Sequence, residues 1–249
     1  MGTHGSPSGP AYYADGPFSR VTAISFPPSL RILGESLFQG NEALTEIELP
    51  EGLVKIDYAA FAGAKNLKSV KLPSTLRTIG TYAFQGTALE SIDLPAGLDE
   101  IGSAAFYGTS IKRVTLPASV SVSSGFSGIK TLEYADFSKA DIYGSRAKAI
   151  SFAGCGGLKE VYLPETLLEL DEFPWSFKGV GGKLKKLVVY APVPPVLHKV
   201  SSELSQFTGS FKIYVPDSSV NRYKNAAGAS AGWSQYADKI RPVSALGAA

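Results

Sequence analysis

The sequence predicts an α/β protein rich in β-structure, in which about nine short parallel strands stack as the coils of a solenoid. Three observations predict this fold: a recurring Phe-x-Gly motif, a strand-like segment ending in proline after each motif, and apolar residues at fixed offsets beyond that proline. Residues 67–88 and 89–110 repeat the same apolar, proline and glycine residues at identical offsets. One such unit cannot bury these residues alone, so each coil must pack against its neighbours.

The Phe-x-Gly motif marks the successive coils. It occurs at Phe38, Phe61, Phe84, Phe106, Phe126, Phe152, Phe177 and Phe207. Its first copies are evenly spaced, whereas the later intervals vary, which indicates insertions. Phe18, which lacks the following glycine, is interpreted as a degenerate leading copy. We expect the rings to be buried against one another.

The strand-like segments follow the pattern Leu-x-x-Ile-x-Leu-Pro. They cover residues 21–27, 44–50, 67–73, 89–95, 111–117, 132–138, 158–164, 184–190 and 210–216. The fourth and sixth positions are apolar and the third and fifth are mostly polar, which is typical of a half-buried strand. Proline then ends the strand because it cannot donate a ladder hydrogen bond. Every unit is traversed in the same direction, so we expect one continuous parallel sheet.

The string LPSTLRTIGTYAFQGTAL, residues 72–89, resembles the BspA-like, or Treponema pallidum-type, leucine-rich repeats of bacterial surface proteins. The resemblance extends over about residues 20–216. It implies a right-handed leucine-rich-repeat solenoid in a secreted or surface-anchored protein that binds other molecules and has no enzymatic activity. Residues 213–243 resemble the segment that closes many such proteins.

The chain is predicted to form one domain with three parts. Residues 1–17 are expected to be a flexible leader or linker, residues 18–216 the solenoid, and residues 217–249 a C-terminal cap with a short helix. An open solenoid end needs such a cap. Asp217 or Ser218 is the expected N-cap of the helix.

The outward positions of the predicted strands form the candidate binding surface. In the C-terminal half these positions carry tyrosine close to lysine, a combination typical of binding surfaces. The candidate residues, called here the tyrosine–lysine face, are Tyr134, Lys159, Tyr162, Lys185, Lys186, Val188, Lys212 and Tyr214. Tyrosine is also simply a good strand former, so a purely structural role stays open.

Side chains that could support catalysis are sparse. Cys155 occupies a repeat position that holds Ala64, Thr87 or Thr109 in other coils, so we expect a buried, inert thiol. Ser230 lies in a Gly-x-Ser-x-Gly string, and a hydrolase would require His198 to converge on it. The chain has two histidines and one cysteine, so we expect no metal, no cofactor and no catalytic residue.

Composition narrows the class of partner. The net charge is +2, from 24 basic and 22 acidic residues, and it argues against nucleic acid. No apolar run is long enough for a transmembrane segment. Together with what the resemblance implies, this predicts a monomeric, non-enzymatic module, secreted or at the cell surface, that recognises a protein or a glycan. The alternatives are a structural spacer without a specific ligand and, remotely, a hydrolase using Ser230.

Overall fold

The computed structural model describes residues 15–118, 120–122, 124–140, 151–170, 177–180, 182–197 and 209–247. These residues form a solenoid of parallel strands, as the sequence predicted. Each regular coil runs through a strand on one side, a second and shorter strand, and a tight turn around its motif phenylalanine. Phe207 lies outside the described residues.

The first row of strands comes from the Leu-x-x-Ile-x-Leu-Pro segments and from the chain's last strand. Its members are β2 (Glu46–Glu48), β4 (Ser69–Lys71), β7 (Arg113–Thr115), β9 (Tyr134–Asp136), β10 (Glu160–Leu163), β12 (Lys186–Val189), β14 (Lys212–Val215) and β15 (Ile240–Pro242). Strands β7, β9, β10, β12, β14 and β15 pair in this order as one parallel sheet, and β2 pairs with β4.

The expectation of one continuous sheet is wrong in two places. Residues 21–27 and 89–95 follow the repeat pattern but form no strand. The break at residues 89–95 separates β2 and β4 from the six-stranded sheet. The apolar residue Ile92 still points into the core, with 7% of its surface exposed. Core packing therefore preserves the coil even where the strand hydrogen bonds are missing.

A second row of strands was not predicted. Its members are β1 (Ile32–Leu33), β3 (Lys55–Ile56), β5 (Thr78–Ile79), β6 (Glu100–Ile101), β8 (Ser121–Val122), β11 (Glu169–Leu170) and β13 (Val196–Leu197). The first five pair in chain order as one parallel sheet, and β11 pairs with β13. The buried second residue of the first four strands is the apolar residue that recurs after each proline. Two residues are too few to show the alternation by which a strand is recognised in a sequence.

The motif phenylalanines form a continuous stack through the core. In the first coils the neighbouring rings lie nearly parallel, with centroid distances of 5.1 Å for Phe38–Phe61 and 5.2 Å for Phe61–Phe84, whereas Phe152 and Phe177 are tilted by 36°. All described motif phenylalanines are fully buried, which confirms the expectation. Phe137 enters the same stack between Phe126 and Phe152, although it belongs to a strand segment rather than to a motif.

The turns around these phenylalanines also connect the coils. The N–H of Phe61 donates to the carbonyl of Ala83 at 2.8 Å, and that of Phe84 to Ala105 at 2.8 Å. The motif glycine is needed because the backbone is left-handed there; Gly86, for example, has a φ of 68°. The coils are thus hydrogen-bonded to one another at the turn as well as along the paired strands.

The C-terminal cap covers the last coils. A 3₁₀ turn at Asp217–Ser219 leads into the helix α1 (Val220–Lys224), and a longer 3₁₀ segment at Gly228–Tyr236 precedes β15. Tyr223 and Trp233 are fully buried, and they belong to the same hydrophobic core as the phenylalanine stack. In the described part of the chain, no helix is long and apolar enough to cross a membrane.

The predicted N-cap of the helix is wrong. Ser219 precedes α1, and no side chain caps its first turn. The Ser219 hydroxyl instead donates to the carbonyl of Pro192 at 2.8 Å, and the Asp217 carboxylate accepts the N–H of Ser244 at 3.0 Å. Both side chains hold the cap in place rather than the helix end.

Candidate binding face

The tyrosine–lysine face lies on the six-stranded sheet, and the strand register aligns its residues in two rows. The third repeat position gives Arg113, Tyr134, Glu160, Lys186 and Lys212 on successive strands. The fifth repeat position gives Thr115, Asp136, Tyr162, Val188, Tyr214 and Arg241. The candidate residues within these rows are therefore neighbours in space.

Tyr134 and Tyr162 form the centre of this surface. Their ring centroids lie 5.2 Å apart, with the rings tilted by 45°. The guanidinium carbon of Arg113 lies 3.8 Å from the centre of the Tyr134 ring, which places a cation over its face. The two tyrosines and Arg113 therefore form one packed group across three strands.

Both phenol groups donate to a carboxylate of their own strand. The Tyr162 hydroxyl lies 2.9 Å from Oε2 of Glu160, and the Tyr134 hydroxyl 3.2 Å from Oδ2 of Asp136. Partial burial, with the neighbouring carboxylate charges, raises the pKa of Tyr134 and of Tyr162 above the ordinary value. The phenols therefore stay protonated, and the ring faces and edges are what they offer to a partner.

The lysines of the face differ in their pairing. Lys159 Nζ lies 2.8 Å from Glu133 Oε2, and Lys186 Nζ lies 3.3 Å from Glu160 Oε2. Lys185 is exposed and Lys212 is half-buried, and neither forms an ion pair within the described residues. Within the described part of the chain, Lys185 and Lys212 are therefore the lysines of the face without an ionic partner.

Val188 and Tyr214 do not have the exposure that was expected of them. Val188 is fully buried and Tyr214 is 8% exposed. In the register Val188 lies between Tyr162 and Tyr214, so its short side chain is flanked by two large ones. The accessible part of the face therefore consists of Tyr134, Tyr162 and the four lysines.

Tyr190 was not among the residues predicted for the binding surface. It stands where other repeats have the strand-ending proline, such as Pro164 and Pro216, and that substitution was the available signal. Tyr190 is half-buried, and burial, together with the charge of Asp136, raises its pKa. It lines a shallow depression of about 480 Å³ at the end of the face, with Ser138, Glu165, Pro192 and Pro216.

The N-terminal half of the strand face carries paired charges. Lys71 Nζ and Glu48 Oε1 lie 2.5 Å apart across β2 and β4. Asp93 holds the corresponding position on the next coil. Within the described residues it forms no ion pair with Lys71, because the sheet is interrupted between their two coils. Exposed pairs of this kind contribute little to stability.

The remaining reactive side chains have structural partners. Cys155 is fully buried, as expected, its Sγ lies 3.2 Å from the carbonyl oxygen of Phe126, and burial raises the pKa of its thiol to about 12. The Ser230 hydroxyl donates to the carbonyl of Pro194 at 2.8 Å, and His198 lies outside the described residues. Among the described residues, no group of histidine, cysteine and acidic side chains could hold a metal ion.

The fold places the protein in the class of leucine-rich-repeat solenoids. Comparison with models of known protein families indicates which type of leucine-rich repeat it contains. Residues 17–133 match the BspA type Leucine rich repeat region in six copies. This match confirms, for these residues, the resemblance inferred from the repeat sequence. No curated protein gives a significant match.

Three solved structures resemble the chain. The Treponema pallidum leucine rich repeat protein TpLRR is 29% identical, covers 54% of this chain and 64% of its own, and has a TM-score of 0.48. A Bacteroides ovatus leucine-rich repeat protein is 22% identical, covers 81% and 62%, and has a TM-score of 0.50. The pneumococcal vaccine antigen PcpA is 20% identical, covers 80% and 42%, and has a TM-score of 0.44.

The comparisons bear on the fold and on the general kind of function. The Bacteroides structure shows the shared solenoid fold. The chain spans less than two thirds of the length of each of these three proteins. The repeat family supports a protein-interaction module, and its solenoid fold is typically non-catalytic.

Proposed function

We propose that this protein is a non-enzymatic binding module, secreted or displayed at the cell surface, and that its tyrosine–lysine face recognises a protein partner. The observation that carries the proposal is the packed group of Tyr134, Tyr162 and Arg113, bordered by Lys185 and Lys212, which form no ion pair with a described residue. Aromatic and cationic side chains on a rigid sheet are typical of the residues that dominate binding energy.

The proposed extracellular location is supported by the match to the BspA type repeats. The sequence resembles the repeats of this type that occur in bacterial surface proteins. Antibody labelling of intact cells of the source organism tests it. Signal from intact cells supports the location, whereas signal only after lysis contradicts it.

A structural spacer is the second candidate, and the carboxylate partners of both tyrosines favour it. A residue that only stabilises the sheet already has its hydrogen bonds within the chain, as Tyr134 and Tyr162 do. If the residue also binds a partner, truncating its side chain must weaken the affinity of the protein for that partner.

Tyr162→Ala distinguishes the two. A screen of extracellular proteins and glycans against the purified protein first identifies a ligand. We expect Tyr162→Ala to make the binding free energy of that ligand less favourable by about 2 kcal/mol or more, because a central aromatic side chain is lost. Titration calorimetry measures the affinity, and a urea melt checks the fold.

Tyr58→Ala is the matched control, since Tyr58 is 43% exposed and lies outside the strand face. It should leave the affinity unchanged. A screen without any ligand, or a Tyr162→Ala variant that binds as the wild type does, would reject the tyrosine–lysine face as a binding site.

A further inference from the structure

Lysines are concentrated at the N-terminal ends of the strands on this face. The set, called here the lysine patch, consists of Lys112, Lys159, Lys183, Lys185, Lys186 and Lys212. Lys112, Lys183 and Lys185 are exposed. The patch shares residues with the tyrosine–lysine face but extends it to Lys112 and Lys183, outside the strands.

Backbone hydrogen bonds align the patch along the solenoid axis. The N–H groups of Glu133, Lys159 and Lys185 donate to the carbonyls of Lys112, Glu133 and Lys159 respectively, each at 2.8 Å. The N–H of Lys212 continues the series to the carbonyl of Lys185 at 2.9 Å. The residues of this series, Lys112, Glu133, Lys159, Lys185 and Lys212, therefore follow one another at one coil each, about 4.8 Å, and the line crosses the strands rather than following them.

Acidic residues neutralise only part of the patch. Glu133 pairs with Lys159, and the hydrogen bond from Lys159, together with the charges of Lys159, Lys112 and Lys183, lowers its pKa. Glu160 pairs with Lys186. The other four lysines, Lys112, Lys183, Lys185 and Lys212, form no ion pair with any residue that the structure describes. Glu133 thus shows that a carboxylate is stable among these ammonium groups.

We propose that the lysine patch binds an acidic, extended segment of a partner protein, running along the solenoid axis. From Lys112 to Lys212 the line covers four coil steps, about 19 Å, which about six residues of extended chain can follow. Carboxylates of such a segment would approach Lys112, Lys183, Lys185 and Lys212, and its apolar groups would contact Tyr134 and Tyr162. This inference rests on the proposed function and names the chemistry of the partner.

A protein segment suits this surface better than an acidic glycan. The repeat family supports protein interaction. The tyrosine rings beside the patch match the aromatic residues enriched at protein interfaces. The experiment below also measures binding of an acidic glycan, so that the two kinds of partner can be distinguished.

The test uses a fluorescent peptide of about ten residues that alternates glutamate and serine, long enough to cover the line. Fluorescence anisotropy measures its binding to the full chain at low salt and at about 0.15 M salt. A peptide with glutamine in place of glutamate and a sulfated oligosaccharide are measured in parallel.

Three variants locate the site. Lys185→Gln combined with Lys212→Gln should weaken binding of the acidic peptide about fivefold, because charges that keep contact with water each contribute modestly. Glu133→Gln should strengthen it, since the competing internal carboxylate is removed. Lys68→Gln is the matched control: Lys68 is exposed and holds the repeat position of Lys185, but in the N-terminal half, and its loss should change nothing.

The expected result is saturable binding of the acidic peptide that weakens with salt and follows this variant order. Three results would overturn the proposal: no saturable binding, an equal loss for Lys68→Gln, or tighter binding of the sulfated oligosaccharide. If a screened ligand depends on Tyr162 but not on Lys185 and Lys212, this inference fails and the proposed function stands. If no ligand is found at all, the proposed function itself fails.

Discussion

Single residues in this solenoid are restricted most by how closely one coil lies on the next. Gly80 follows the buried Ile79, and a Cβ at this position would lie 2.7 Å from the carbonyl carbon of Asp57 and 2.9 Å from the nitrogen of Tyr58. These are backbone atoms of the preceding coil, so they cannot move aside as a flexible side chain would. Glycine is required at this position by proximity between coils.

Gly80→Ala should therefore destabilise the protein by about 1–3 kcal/mol, as overpacking does. Urea denaturation measures the change. Gly34→Ala is the matched control, because Gly34 holds the same position in the first coil and a Cβ there would meet nothing within 4 Å. Equal losses for the two variants would contradict the packing argument.

The buried thiol of Cys155 makes stability depend on pH in the alkaline range. Its pKa is raised from 9.0 to about 12, first because burial disfavours the thiolate. The unfolded thiol ionises at lower pH than the folded one, so rising pH favours the unfolded state. Stability is therefore full below the unfolded pKa and is lost above it, by about 1.4 kcal/mol per pH unit.

The expected outcome is a steeper fall of unfolding free energy between the two pKa values for the wild type than for Cys155→Ala. Alanine suits the position, since Ala64 holds it in another coil. Urea melts in a pH series measure both proteins, and the buried tyrosines contribute equally to each. Parallel curves, or rapid alkylation of the native thiol, would show that Cys155 is accessible.

Among the elements, the phenylalanine stack illustrates what repetition predicts and what it does not. The regular spacing of Phe38, Phe61 and Phe84 predicts their stacking, because each occupies the same place in its coil. The entry of Phe137 into the stack could not be predicted. It holds a strand position that is leucine in the regular coils, and its ring lies between those of Phe126 and Phe152, with centroid distances of 6.0 and 5.4 Å.

Phe84→Ala should cost about 3–5 kcal/mol, because it leaves a cavity between two stacked rings. Phe18→Ala should cost clearly less, since Phe18 is half-buried at the first coil and contacts the stack from one side only. Denaturant melts of both variants check the order. A loss below about 1 kcal/mol for Phe84→Ala would reject its place in the core.

At the scale of the whole molecule, the cap closes the solenoid by satisfying polar groups as well as by covering apolar ones. The Tyr223 hydroxyl donates to the carbonyl of Ala191 at 2.8 Å, and the Trp233 indole N–H to that of Pro195 at 2.7 Å. Both rings are fully buried and in edge-to-face contact, with centroids 5.1 Å apart. The carbonyls of Ala191 and Pro195 are thus paired with donors from the side chains that cover them.

Tyr223→Phe should destabilise the protein by about 1–3 kcal/mol, because the Ala191 carbonyl loses its buried donor. Tyr107→Phe is the control, since Tyr107 is 48% exposed. Thermal melts compare the two variants. A neutral Tyr223→Phe would indicate that water replaces the lost hydroxyl.

The candidate face was predicted in part, and the reason lies in the register. Alternation along each strand correctly placed Tyr134, Tyr162 and Lys186 on the outside. It could not show that Val188 is covered, because burial there depends on the large residues of the two neighbouring strands. It also gave no sign that the tyrosine hydroxyls donate to Glu160 and Asp136, since alternation says nothing of side-chain conformation.

By itself, the sequence determined that the chain forms stacked coils and which residues face the core, because both depend on apolar residues repeated at fixed offsets. The cap was expected because residues 213–243 resemble a closing segment and because an open solenoid end has to be covered. Only the tertiary structure decided where the sheet is interrupted, that a second strand row exists, and which outward side chains remain accessible. Those features depend on contacts between coils, and such contacts involve residues that lie some twenty positions apart along the chain. A local pattern cannot determine them.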